Sequence, residues 1–414
     1  MYVIIEWIKR TVKLTLNNRE RGTKYMTYSN RLKNFPKHFF STLVDNVEAA
    51  IAEGRDVINL GRGNPDQPTP DHIVKAMQEA VADPSTHGYS PFRGLLEVKE
   101  AVAGYYKREY NVDINPETEV AVLGGTKTGT VEIPFALLDE QELLLLPDPG
   151  YPDYLSSVSL GNLRAETFPL LEENQFLPDY TRFTEEQKRD AKLMYLNYPS
   201  NPTAATATKA FFDETVTFAK EHDIRILHDF AYGAIGFEDE KPVSYLQGKG
   251  AKDIGIELLS MSKMYNMAGW RIGFAVGNAE MIEAINTLQD YLFVSVFPAI
   301  QKAAAHALNG SQQKVDELVD LYAKRRATLL KSCEQIGLEV ACAAGSFFAW
   351  IKVPTDYTSQ EFSDLLLDEA DVAVTPGNGF GKHGEGYVRV GLLDDEKRIQ
   401  EAIERIGKLD IFKK

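Results

Sequence analysis

The sequence predicts an α/β protein, in which a mainly parallel sheet flanked by helices is joined by a second, smaller α+β domain. Two observations predict the large sheet. Between residues 119 and 278, short apolar runs alternate with amphipathic stretches of helical period. The chemically unusual residues of the chain fall just past the ends of those runs, where open parallel sheets collect ligands. A third observation predicts the smaller domain: the C-terminal part changes to long helices and paired strands.

The runs are Glu119–Leu123, Glu142–Leu146, Leu193–Asn197, Ile224–His228, Gly255–Ser260 and Arg271–Val276. Helices are predicted between them at Thr128–Leu138 and Lys209–His222. Farther on come a helix-rich segment at Ser311–Ile336, a strand pair within Leu338–Val353, a helix at Ser359–Ala370 and a last strand at Tyr387–Leu392. The segment Phe35–Leu60 precedes the large sheet and is expected to return to the C-terminal domain, making that domain discontinuous. The expected division is 26–72 for an N-terminal arm and part of the small domain, 73–312 for the large domain and 313–414 for the rest of the small one.

A chain of 414 residues with 44% hydrophobic content is long enough for more than one domain. A formal charge of -15 argues against nucleic acid or an anionic membrane as the main partner. Cys333 and Cys342 are too few for a disulfide framework, and reduced thiols suit a cytoplasmic protein. The seven histidines are scattered without the close spacing of zinc ligands, so no metal is expected. No apolar run approaches the ~20 residues of a membrane span. Residues 1–25 place an apolar stretch before the basic residues, the reverse of a signal peptide. The expectation is a non-native upstream extension, with Met26 as the biological start.

The chemistry centres on Lys263, between Ser260, Ser262 and Arg271 in the stretch Leu259–Gly273. An imine-forming lysine must be less basic than the reference pKa of about 10.4. A nearby Arg with two hydroxyls makes a site for a phosphate dianion. A second phosphate element is Gly124-Gly-Thr-Lys-Thr-Gly129, between a strand and a helix, although turns of this kind are common by themselves. It lacks the Walker spacing, which excludes a nucleoside triphosphate. Asp229, in His228-Asp-Phe-Ala-Tyr232, is either a helix cap or, in a pyridoxal-phosphate site, the partner of the protonated pyridine nitrogen. Tyr232 would then bond the phenolic oxygen of the ring. Asn201, in a turn-forming Asn-Pro, would contact that oxygen and the substrate carboxylate. Tyr151 would stack on the ring.

With these motifs the chain resembles the fold-type I aminotransferases of class I/II across residues 27–410. The resemblance rests on Asn201-Pro-Thr203, Asp229-x-x-Tyr232, Ser260-x-Ser-Lys263, Arg271 and Tyr387-Val-Arg389. It implies a seven-stranded large sheet, pyridoxal 5'-phosphate carried as an imine on Lys263, and Lys263 as the base that moves the α-proton. It implies Arg389 as the bidentate partner of the α-carboxylate. Gly125, Thr126, Lys127, Ser260, Ser262 and Arg271 would hold the phosphate, and Gly63 would line the substrate side. Tyr89 resembles the tyrosine that reaches the neighbouring subunit's phosphate, which implies a homodimer with a shared site; the other reading is a core tyrosine. Ala204 departs from the family, which usually has Gly there, and costs stability if that position has positive φ. Lys127 stands where relatives use a hydroxyl.

In dicarboxylate-specific members of the family that the chain resembles, a second Arg around residues 290–299 binds the distal carboxylate; Asp290–Ala299 carries none, and with Tyr291, Phe293 and Phe297 present the resemblance implies a neutral or apolar substrate side chain. The motifs resemble the bacterial methionine-salvage transaminases, which act on methionine and 2-oxo-4-methylthiobutanoate. Diaminopimelate aminotransferases share many of them, and a carbon–sulfur lyase would use the same residues. Arg62 either recognises a polar distal group or covers the surface.

Overall fold

The apolar runs form strands where burial on both faces rewards continuous Leu, Val and Ile. A computed structural model of the chain describes residues 29, 32, 35, 39–238, 241–292 and 295–413. The expectations for residues 1–25 and for Phe293 lie outside the described residues. The chain divides into two compact units, Met1–Phe35 and Pro36–Lys414, and the second contains every element named below.

Its strands are β1 (Ile58–Asn59), β2 (Val120–Leu123), β3 (Leu143–Asp148), β4 (Arg164–Pro169), β5 (Ala191–Leu196), β6 (Arg225–Phe230) and β7 (Gly255–Ser260). They continue with β8 (Gly273–Gly277), β9 (Val340–Cys342), β10 (Phe348–Lys352), β11 (Val372–Ala373), β12 (Thr375–Pro376) and β13 (Tyr387–Gly391). The large sheet has seven strands in the order β2-β8-β7-β6-β5-β3-β4. All neighbours are parallel except those of β8, which runs antiparallel to both β2 and β7. The α/β class and the mainly parallel seven-stranded sheet stand as the sequence implies.

Each predicted run matches a strand to within a few residues, and the helices Lys209–His222 and Ser359–Ala370 have the predicted ends. Both helices start on a threonine side chain: Thr208 Oγ1 accepts from Phe211 N, and Thr358 Oγ1 from Glu361 N. The edge strand β4 was not predicted. Its sequence, Arg-Ala-Glu-Thr-Phe-Pro, is largely exposed and has only β3 as a neighbour, so it lacks the apolar signature of a central strand.

The smaller sheet, β12-β13-β10-β9, is antiparallel. The N-terminal segment joins this part of the chain from far away in sequence: β1 pairs in parallel with β11 in a separate two-stranded sheet. Val47 and Ala50 of the helix Phe39–Ala52 bury against Leu367 and Ala373, and Arg55 pairs with Asp371 at 2.7 Å. One apolar core takes in Ile58 and Leu60 together with Phe348, Val372, Val390 and Ile399.

Candidate active site

The carboxyl ends of β2, β3, β5, β6 and β7 open on one pocket, and the β10–β13 sheet contributes Phe348 and Arg389 to it. Lys263 follows β7 on the short helix Met261–Met264, whose start is capped by Ser260 Oγ accepting from Ser262 N. Lys263 Nζ donates to Gly63 O at 2.9 Å. Burial, and next the charge of Arg389, bring its pKa down to about 8, with Asp229 opposing. An amine of this kind is partly uncharged near neutrality and able to accept a proton.

Arg389 is buried and faces the same space. Its Nη1 donates to Asn201 Oδ1 at 2.8 Å and its Nη2 to Gly61 O at 3.1 Å. The guanidinium lies over Phe348 at 4.1 Å and Phe380 at 4.9 Å. Burial lowers its pKa to about 10, which still leaves it charged at neutral pH. The segment Gly61–Gly63 therefore places one carbonyl against Lys263 and another against Arg389.

Asp229, on β6, accepts a hydrogen bond at Oδ2 from Tyr154 OH at 2.8 Å. Its Oδ1 is buried with no hydrogen-bond partner among the described residues. Burial raises its pKa, and the Tyr154 bond opposes that shift. A buried carboxylate oxygen without a partner fits a cationic N–H, such as a protonated pyridine nitrogen.

At the end of β2, Gly125 adopts φ +96°, and a Cβ there would stand 2.5 Å from Arg271 Nη2. Glycine is needed for Arg271 to approach the first turn of the helix Thr126–Leu137, where main-chain N–H groups have no intrahelical acceptor. An arginine against a helix N-terminus is a cradle for a phosphate dianion. The residues present therefore fit pyridoxal phosphate at both of its ends, the phosphate and the ring nitrogen.

Of the sequence-predicted site residues, Gly63, Thr126, Lys127, Tyr151, Asn201, Asp229, Tyr232, Ser260, Ser262, Lys263, Arg271 and Arg389 all line this pocket. Gly125 stands behind Arg271. The side chain of Lys127 is paired with Asp153 at 2.5 Å. Tyr89 is 91% exposed and does not line the pocket, so it is not a core tyrosine. Tyr291 and Phe297 are also exposed, and neither lines the pocket of this chain. Arg62 reaches the pocket rim, but its guanidinium donates to Asn59 O and Leu393 O and pairs with Asp394 at 3.1 Å.

The sequence reading missed Tyr154, Asn197, Phe348, Leu43 and Val44, all of which line the site. Tyr154 lies in the same Pro-rich stretch as Tyr151, and its signal was the aromatic residue three positions on. Asn197 opens the turn that carries Asn201, whose N–H donates to Asn197 Oδ1 at 2.8 Å, while Phe348 and the adjacent Leu43 and Val44 have no local signature, because the fold brings them in from elements remote in sequence.

The sequence model for "Aminotransferase class I and II" matches residues 55–406. The chain belongs to this family. Like the family, this aminotransferase depends on pyridoxal phosphate. It is 59% identical to the L-glutamine--4-(methylsulfanyl)-2-oxobutanoate aminotransferase of Bacillus subtilis (strain 168), over 93% of this chain and 96% of that one. It is 43% identical to the LL-diaminopimelate aminotransferase of Halothermothrix orenii, over 93% of this chain and 99% of that one. Among solved structures, the substrate-bound BacF of Bacillus subtilis matches with a TM-score of 0.89 at 45% identity, over 94% of this aminotransferase and 98% of BacF.

Proposed function

We propose that this aminotransferase moves an amino group between methionine and 2-oxo-4-methylthiobutanoate, in methionine salvage, with glutamine as donor. The carrying observation is the charge state of the pocket wall. Among the described residues the lining cations are Arg62, Lys127, Lys263, Arg271 and Arg389. Arg62 and Lys127 are already paired with Asp394 and Asp153. Arg271 serves the phosphate and Arg389 the α-carboxylate, while Leu43, Val44 and Phe348 add apolar surface. That wall suits a thioether side chain better than a charged one. The relative at 59% identity, named for this reaction, supports the same substrate pair.

The site residues take the following roles. Gly125, Thr126 and Lys127 present main-chain N–H groups to the phosphate, with Ser260, Ser262 and Arg271 around it. Asp229 faces the ring nitrogen, Tyr232 and Asn201 the phenolic oxygen, and Tyr151 the ring face. When bound, pyridoxal phosphate supplies an electron-withdrawing ring that stabilises the charge left on the substrate α-carbon. Arg389 holds the α-carboxylate by paired N–H donors, oriented by Asn201. Lys263 Nζ, kept below its usual pKa, takes the α-proton and returns a proton on the other side of the reaction. Gly63 O holds the ammonium that results.

The protein works as a cytoplasmic homodimer, with Tyr89 of each copy reaching the phosphate of the other. The exposed Tyr89, Phe92, Tyr291 and Leu292 support this, since large apolar side chains on a surface mark contact faces. Among the described residues no helix is long and apolar enough to cross a membrane. Residues 73–312 form the cofactor domain, and 26–72 with 313–414 the smaller one.

The test is to add methionine, then glutamine, to the yellow cofactor-loaded protein. Bleaching of the band by both, and its return with 2-oxo-4-methylthiobutanoate, is the expected result. A response only to diaminopimelate would move the substrate to that of the 43% identical relative. Release of pyruvate or sulfide without an oxo-acid acceptor would instead make it a carbon–sulfur lyase.

A further inference from the structure

The short turn Tyr151-Pro-Asp-Tyr154 follows β3 and contributes two aromatic residues to the pocket. Tyr154 is tied to Asp229, as described above. Tyr151 is tied in another way: its hydroxyl donates to Asp153 Oδ2 at 2.5 Å, and Lys127 Nζ contacts the same oxygen at 2.5 Å. The Asp153 side chain is largely buried, whereas that of Lys127 is half exposed. An O–H to carboxylate bond of this length is charge-assisted. It survives burial because a cation compensates the carboxylate. The edge of Tyr154 fixes the Tyr151 ring from the side, with centroids 5.5 Å apart and planes at 83°.

We infer that Asp153 is a positioning residue for the cofactor-stacking Tyr151, and that the Lys127 side chain acts on the cofactor through Asp153 rather than by touching the phosphate. Lys127 projects from the first turn of the helix Thr126–Leu137, so its main-chain N–H faces the phosphate cradle while its side chain reaches the Tyr151 turn. One residue thereby links the phosphate end of the site to the ring face. Tyr151 has a hydroxyl to anchor, and Asp153 is the anchor. This rests on the pocket being the pyridoxal-phosphate site.

The experiment is a double-mutant cycle read as the cofactor dissociation constant of the apoprotein, titrated with pyridoxal phosphate. Asp153→Ala is expected to weaken binding about tenfold, the scale of one hydrogen bond to a charged group. Lys127→Met alone weakens it by a smaller factor, and in the Asp153→Ala background it has no further effect. Tyr151→Phe leaves the turn intact and removes only the hydroxyl. In that background too, Lys127→Met changes nothing, which keeps the test valid if Asp153→Ala folds poorly. Equal, multiplying losses from Lys127→Met in all backgrounds would mean a direct phosphate contact and overturn the inference. Failure of the unsubstituted protein to take up any cofactor would overturn the functional reading as well, which separates the two failures.

Discussion

Tyr154 OH meets Asp229 Oδ2 at 2.8 Å, so one oxygen of the buried carboxylate is held by the protein while the other has no hydrogen-bond partner among the described residues. The tyrosine orients the carboxylate and offsets part of the burial that drives its pKa upward. Tyr154→Phe should raise the Asp229 pKa further and leave less of it ionised at a given pH. The expected loss in kcat/KM is about tenfold, one charged-group hydrogen bond. A pH–rate profile whose acid limb shifts upward checks it; an unshifted limb would count against Asp229 titration.

Lys263 reactivity should follow its environment. Below about pH 8 the amine is protonated, so its rate of acylation in the cofactor-free protein should fall as pH drops through that value. Arg389→Gln removes a positive neighbour and should move the midpoint upward. Mass-spectrometric labelling at several pH values reads both.

Loss of the lysine itself separates chemistry from binding. Lys263→Ala should abolish turnover while the phosphate cradle around Arg271 and Gly125 keeps measurable affinity for pyridoxal phosphate. Near-normal turnover would refute the assigned base.

Arg389→Lys should act mainly on carboxylate binding. A lysine cannot reproduce the planar pair of donors or the stacking between Phe348 and Phe380. KM should rise by roughly tenfold or more, the cost of a charge-assisted hydrogen bond. Steady-state kinetics with methionine give the split between KM and kcat.

Ala204 is fully buried at φ +59°, where an L side chain is strained. Its backbone is committed: Ala204 N donates to Ser200 O, and its carbonyl accepts from Ala344 N and Gly345 N. Ala204→Gly trades strain relief of about 1–2 kcal/mol against glycine's chain entropy and a methyl buried in the core, so stability should change by less than about 1 kcal/mol, whereas Ala204→Val, bulkier and β-branched at positive φ, should destabilise by more than that. Thermal unfolding of the three proteins measures both changes.

Much of the site was legible because its chemistry lies at strand ends. Lys263, Asp229, Asn201 and Gly125 each follow a buried apolar run, so finding the runs located them. The strain at Ala204 was legible as a departure from the family pattern. Three features were not. The edge strand β4 carries polar residues and resembles a loop. Tyr291 and Phe297 are aromatic, and an aromatic residue in a sequence does not say whether it faces a pocket or a surface. The Lys127–Asp153 pair joins the start of a helix to a separate turn, and nothing local in either names the other.

The pairing of β1 with β11, secured by Arg55 and Asp371 at 316 positions' separation, has a consequence for synthesis on the ribosome. The helix Phe39–Ala52 and β1 are translated before the large sheet, yet their partners Leu367 and β11 come after all of it. Until then the apolar face of Val47 and Ala50 lacks Leu367 and Ala373, which bury it in the fold. A nascent chain stalled before residue 371 would display that face to chaperones and proteases throughout its life. Emergence of the segment that carries Leu367 and β11, rather than of the large sheet, is the moment at which that face can be covered.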